Sequence, residues 1–325
     1  MSIKVLKTGI LASLQDQGRR GYQRIGVPVS GAMDKHAASV ANLLCGNDRD
    51  EAVIECTLQG SSFSFLEDHL VAFSGSGSVP QCGGRELPVN KAIFIPSGKQ
   101  IDLTYSNSGC RMYMAIAGGF QSVPVMGSRS TYIPAGAGKS LQTGDILRRN
   151  DLSNLSENIL KKMRADDIRV AKWGSVELLI AEKMDTIRVM KGAEWNWFSE
   201  KAQKQFLNHE YRLSSLSDRM GYRLEGEMLE MKLKEEMIST AVTMGTIQVV
   251  HGGMPLILMA DAQTTGGYPR IAQVIESDLS YCAQRRPGDS IKFREVSFSV
   301  AKELLTELEE ELQRISKSIK MFFSV

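Results

Sequence analysis

Between Ala52 and Ala117, short apolar segments recur at close intervals, and turn signals cut them apart. The segments are Ala52–Leu58, Ser62–Leu66, Leu70–Phe73, Leu87–Val89, Ala92–Ile95, Ile101–Tyr105 and Arg111–Ala117. Among the breaks are Gly83-Gly84, Pro96-Ser97-Gly98 and Asn107-Ser108-Gly109. A chain that reverses this often has no room for the crossover helices of a parallel sheet. The pattern predicts a mainly β fold with a few helices, built as barrels or sandwiches. Residues 3–15 read as one opening strand. Asp34 is placed to cap a helix carrying His36, Ala37, Val40, Ala41 and Leu44, with Gly46 as its stop. Trp195, Trp197, Phe198, Ala202 and Phe206 have helical spacing, which suits core packing better than a ligand box.

A chain of 325 residues has room for two domains. The polar stretch from Asn150 to Asp167 reads as the boundary, giving β-rich domains at 1–150 and 168–298. Gly144-Asp145 and Gly288-Asp289 each precede a strand pattern, so the two halves close alike. From 299 to 325, Leu304, Leu305, Leu308, Leu312, Ile315 and Ile319 form an apolar stripe, with glutamates early and lysines late. That order predicts a terminal amphipathic helix that complements its own dipole.

Composition closes off several classes. Net charge is +2, which gives no footprint for nucleic acid. No apolar run nears the roughly 18–20 residues that span a bilayer, and the first residues lack the apolar core of a secretion signal, so a cytoplasmic protein is expected. Five cysteines without a Cys-x-x-Cys pair suit reduced thiols, and four scattered histidines suggest no metal site.

The densest chemistry lies between Gly245 and Pro269. Leu256–Met259 reads as a strand buried on both faces, and it runs into Asp261, Gln263, Thr264 and Thr265. Gly266-Gly267 allows close backbone approach or positive φ before Tyr268-Pro269. Such a group either satisfies its own loop or presents side chains to a ligand. Asp218-Arg219 stands beside Gly221, and Arg129 sits in the polar pentad Gly127-Ser128-Arg129-Ser130-Thr131. Arginines with amides and hydroxyls suit a planar carboxylate or amide. An aspartate there could take a proton or hold an N–H, and each Asp–Arg pair could equally fix a loop. Gly136-Ala137-Gly138-Lys139-Ser140 lacks the first glycine of a phosphate loop, since Ile133 stands there, and strand-like sequence follows it.

Ordered motifs carry a family resemblance. They are Gln15-Asp16 with Gly18-Arg19, Gly26-Val27-Pro28, Ser30-Gly31-Ala32-Met33-Asp34, Ala41-Asn42, Gly46-Asn47, Ala117-Gly118-Gly119, the 127–131 pentad, Ser217-Asp218-Arg219-Met220-Gly221, Gln248, Asp261 through Pro269, and Pro287-Gly288-Asp289. Together, over about residues 8–298, they resemble the biotin-dependent carboxyltransferase family that includes the C subunit of 5-oxoprolinase, the KipI antagonist and the allophanate hydrolase subunit 2 region of urea carboxylases. The resemblance implies a cyclophilin-like β-barrel. It implies partners, namely the KipI-like B subunit and the A subunit of 5-oxoprolinase, in an assembly that opens the lactam 5-oxoproline to glutamate using ATP. The alternatives it leaves are a regulator that binds a KipI-like kinase inhibitor, and a carboxyltransferase component acting on urea or another amide. ATP is expected to serve the complex without necessarily being held by this chain. Biotin is expected only on another chain, because neither Met190-Lys191-Gly192 nor Met231-Lys232-Leu233 fits an attachment motif. On this reading Asp261, Asp218 and Arg219 are catalytic candidates. Gln248, Gln263, Thr264, Thr265, Tyr268, Arg129 and Asn42 are candidates for binding the substrate.

Overall fold

The computed structural model describes residues 2–138, 140–175, 186–232 and 237–323. Contacts divide the chain into two units that are not consecutive halves. One comprises Met1–Arg19, Asp34–Glu182 and Glu309–Val325, and the other Arg20–Met33 and Lys183–Leu308. This departs from the expected boundaries at four places. Residues 20–33 group with the second unit. The polar stretch after Asn150 is no linker, because Ser153 accepts a hydrogen bond from the Ser156 N–H at 3.0 Å and caps a helix, Asn154–Met163, that buries Ile159 and Met163. Its polarity is that of a helix with one wet face. Arg169–Gly174 then pairs antiparallel with Lys91–Ile95, so it belongs to the first unit. The terminal helix, Phe298–Phe323, is divided at Leu308.

The first unit contains two antiparallel sheets. One runs in the order Ile146–Arg148, Ser2–Thr8, Ser61–Phe65, Gln100–Tyr105, Ser78–Cys82, Arg85–Glu86. The other runs Arg169–Gly174, Lys91–Ile95, His69–Gly75, Arg111–Ile116, Val53–Thr57, Leu11–Gln15. Residues 3–15 are thus two strands and not one. The chain breaks after Thr8, and its two pieces enter different sheets. Phe63 and Phe65 from one sheet share a single core with Phe73, Ile93, Met112 and Met114 from the other. The helix Lys35–Leu44 begins as expected, with the Asp34 carboxylate accepting from the Ala37 N–H at 2.9 Å.

One buried titratable group of this unit sets a pH dependence. His69 is 2% exposed, its Nε2 meets no partner, and burial, helped by the Arg149 charge, pushes the imidazole down to about 4. The folded state therefore holds it neutral, while the unfolded chain protonates it near 6.5. Its contribution is complete above about 6.5 and is lost as the pH falls toward 4. Acidification across that window is expected to cost about 3 kcal/mol. Urea titrations at pH 7 and 4.5 should show the loss in the wild type and a flatter response in His69→Gln.

The second unit is a closed seven-stranded barrel among the described residues, in the order Thr186–Lys191, Arg270–Val274, Thr246–Val249, Pro255–Leu258, Gly221–Glu225, Tyr211–Leu213, Ser290–Glu295. The ring closes by parallel pairing of Thr186–Lys191 with Ser290–Glu295. Inward residues Ile187, Val189, Leu224, Ile247, Ile257, Ile271 and Phe293 fill it. The helix Glu200–Asn208 closes over this core, with Phe206 stacked on Phe293 at 4.6 Å between ring centroids. The mainly β class and the barrel expected from the sequence are both present. No helix among the described residues is long and apolar enough to cross a membrane.

Candidate functional site

The strand Pro255–Leu258 carries the chain to Asp261, which is 6% exposed. Its carboxylate is gripped on both oxygens. Arg219 donates from Nε to Oδ2 at 2.8 Å and from Nη2 to Oδ1 at 3.0 Å, and the Ser30 hydroxyl donates to Oδ1 at 2.6 Å. The Arg219 carbonyl also accepts the Asp261 N–H at 2.9 Å, so backbone and side chains lock one register. Arg219 Nη2 reaches the Gly31 carbonyl at 2.7 Å. Ser30 and Gly31 have φ of +57° and +93°. For serine that left-handed conformation is strained, and it persists where neighbours over-determine it. Ser30 is not among the candidates drawn from sequence. Its signal in the sequence is the motif Ser30-Gly31-Ala32-Met33-Asp34, which carries the resemblance without giving Ser30 a role.

Gln248, fully buried in the strand Thr246–Val249, forms a second focus. Its Nε2 donates to the Tyr268 carbonyl at 3.2 Å, and its Oε1 meets no donor. A Cβ on Gly266 would stand 2.5 Å from Gln248 Nε2, so the glycine is there for close approach. Its φ is not positive, contrary to one of the two expectations for this pair. The Tyr268 ring meets the His251 imidazole edge-on at 5.2 Å. Beside them lies a cavity of about 1210 Å³ whose lining includes Lys201, Glu227, Met228, Met231 and His251.

The remaining candidates separate. Asp218 is exposed, and its Oδ1 accepts the N–H groups of Met220 at 2.8 Å and Gly221 at 3.2 Å, an Asx turn that presents Arg219. Gln263 and Thr265 are exposed. Thr265–Gly266 pairs with Thr240–Ala241, and the Thr264 carbonyl accepts the Val242 N–H at 3.0 Å. Arg129 and Asn42 lie in the first unit. Asn42 is fully buried and donates to the Glu51 carbonyl at 2.7 Å while its Oδ1 accepts from Asn47 at 3.0 Å, which makes it a brace at the helix end. The Arg129 backbone N–H donates to Asp16 Oδ2 at 2.5 Å, and its Nη1 lies 3.8 Å from Glu51. Two further bidentate pairs, Arg270–Glu194 and Arg188–Asp278, escape a reading of the sequence because their partners are 76 and 90 residues apart. Burial lifts the Cys56 and Cys282 thiols to about 12, so neither is poised as a nucleophile. Among the described residues no group of three or more His, Cys, Asp or Glu is gathered for a metal.

The second unit thus offers two foci: a fixed Arg–Asp–Ser cluster, and a buried amide that holds Tyr268, which with His251 lines a cavity whose lining includes none of Ser30, Arg219 and Asp261. Groups of these kinds orient a planar N–C=O unit by directional hydrogen bonds. The family model for the carboxyltransferase domain, subdomains A and B, matches residues 25–295. The chain belongs to the carboxyltransferase domain family. Of its relatives, the C subunit of Escherichia coli 5-oxoprolinase is 35% identical over 92% of this chain and 93% of its own length. The Haemophilus influenzae protein of the same name is 34% identical over 98% of each. In three dimensions this carboxyltransferase-family chain resembles the urea amidolyase of K. lactis, with a TM-score of 0.86 and 27% identity. The match covers 97% of this chain but only 20% of that one.

Proposed function

We propose that this chain is the C subunit of a 5-oxoprolinase, which works with an A subunit and a KipI-like B subunit to open 5-oxo-L-proline to L-glutamate at the expense of ATP. What carries the reading is length. The chain matches proteins named as the C subunit of 5-oxoprolinase from end to end, whereas it corresponds to a fifth of the urea amidolyase chain.

The lactam and urea share a planar N–C=O unit, so one type of site serves both, and the carboxylate of 5-oxoproline is what separates them chemically. Within this chain Arg219 and Asp261 act as a positioning pair for the Ser30-Gly31 backbone. The Asp261 carboxylate already accepts three hydrogen bonds, two of them from Arg219, which suits positioning. Gln248 holds Tyr268 in place beside the cavity. The Gly136–Gly138 stretch does not fit a phosphate loop. Ala137 closes a bridge with Tyr132, Ser140 bridges Ser13, and the next element is the strand Ile146–Arg148, not a helix. Lys139 lies outside the described residues. In this proposal ATP serves the complex without necessarily being held by this chain, and biotin enters only if another chain carries it.

The test is reconstitution. Purified chain mixed with the A and B subunits should release glutamate from 5-oxoproline only when ATP and all three are present, and the chain alone should turn over no ATP. A stable complex that yields no glutamate would reject the assignment.

A further inference from the structure

Arg19 is the most deeply buried arginine of the first unit, at 2% exposure. Its Nη2 donates to the Ser130 carbonyl at 2.5 Å, and its Nε reaches the Val125 carbonyl only at 3.5 Å, the outer limit of a hydrogen bond. Its Nη1 meets no acceptor among the described residues. No carboxylate among the described residues pairs with it. The neighbouring Asp16 is spoken for by Ser128, Ser130 and the N–H groups of Gly18 and Arg129. A guanidinium keeps its charge in proteins, and a buried charge without a counter-charge is costly unless something else supplies one. A second cation stands in the same loop. Arg129 has an unpartnered Nε and only a long 3.8 Å approach to Glu51. Val125 lies in the segment 121–127, which is exposed along most of its length and turns back where Val125 and Ser128 bridge. The weak tie to Val125 is the one that can give way.

We infer that Arg19 is an anion-binding residue whose free guanidinium end takes a carboxylate, and that under the proposed function this is the carboxylate of 5-oxoproline. Strained and uncompensated groups persist in folded chains where binding needs them. Arg19 therefore sets specificity for an acidic lactam over a neutral amide.

Two measurements test this. In the first, the full chain is melted in sodium acetate and in sodium chloride of equal ionic strength. Acetate should raise the wild-type melting temperature and leave Arg19→Met unmoved, and without acetate Arg19→Met should melt no lower than wild type. In the second, the reconstituted complex carrying Arg19→Met should show a KM for 5-oxoproline raised by about a hundredfold, the size expected for a lost charge-assisted bond, with kcat and the KM for ATP little changed. Arg19→Lys, which keeps the charge without the fork, should fall between the two and covers the case that Arg19→Met does not fold. A variant that melts well below wild type yet keeps the acetate response and the 5-oxoproline KM would make Arg19 a loop brace and overturn the inference. A raised KM for ATP, with a stabilisation by inorganic phosphate that the variant loses, would make the anion a phosphate and overturn it equally. The acetate arm needs no turnover, so it stands apart from the 5-oxoprolinase assignment.

Discussion

Asp261→Ala should lower the free energy of unfolding by about 3–5 kcal/mol, the usual consequence of stranding one half of a buried ion pair. The two side chains are 10% and 8% exposed, so solvent cannot take over the role of the lost partner. Arg219 would keep its bond to the Gly31 carbonyl but lose both contacts to carboxylate, and the Ser30 hydroxyl would lose its acceptor. The strained Ser30-Gly31 backbone would then be held less firmly. In the reconstituted complex, displacement of that loop should cost about a hundredfold in glutamate formation. Asp261→Asn keeps the volume and separates the effects. It should regain part of the stability, since an amide oxygen still accepts from Arg219, and still turn over slowly. Denaturant titration of both variants beside a turnover assay checks this. Wild-type stability in Asp261→Ala would show that the pair contributes nothing.

The second large effect is expected at the barrel seam. Asp278 is fully buried and accepts from Arg188 through Nε, Nη2 and the backbone N–H, at 2.5–3.0 Å. Arg188 lies in Thr186–Lys191, the strand that closes the ring by parallel pairing. Asp278→Ala leaves the Arg188 guanidinium, 14% exposed, without its carboxylate and should cost about 3–5 kcal/mol. The double variant Arg188→Leu with Asp278→Leu should be markedly more stable than Asp278→Ala, because a pair replaced by apolar volume leaves no unpaired charge. A double-mutant cycle in urea supplies the coupling energy, and additive losses would contradict the mechanism.

Both pairs show where sequence reasoning reaches its limit. Local grammar is legible: the Asp34 cap, the strand spacing between 52 and 117, the buried strand before Asp261 and the terminal amphipathic helix can all be read from neighbours a few residues apart. The same local view takes residues 3–15 as one strand and the polar run at 150–167 as a linker, because a change of sheet and a helix with one wet face leave weak marks on composition. Asp261 and Arg219 are both sequence candidates, but the third member of their cluster, Ser30, stands 231 residues away from Asp261. Asp218 looks chemically equal to Asp261, yet it shapes the turn that aims Arg219. Nothing in spacing distinguishes a carboxylate that meets a ligand from one that meets its own backbone.

The discontinuous division of the chain bears on how the protein can be taken apart. A gene cut anywhere between 150 and 168 would deprive the sandwich of its border strand Arg169–Gly174, and would separate the barrel from the fourteen-residue excursion that supplies Ser30 and Gly31. Fragments designed on that cut should be insoluble singly and recover only when co-expressed. A barrel intended to stand alone would need residues 20–33 grafted back onto it.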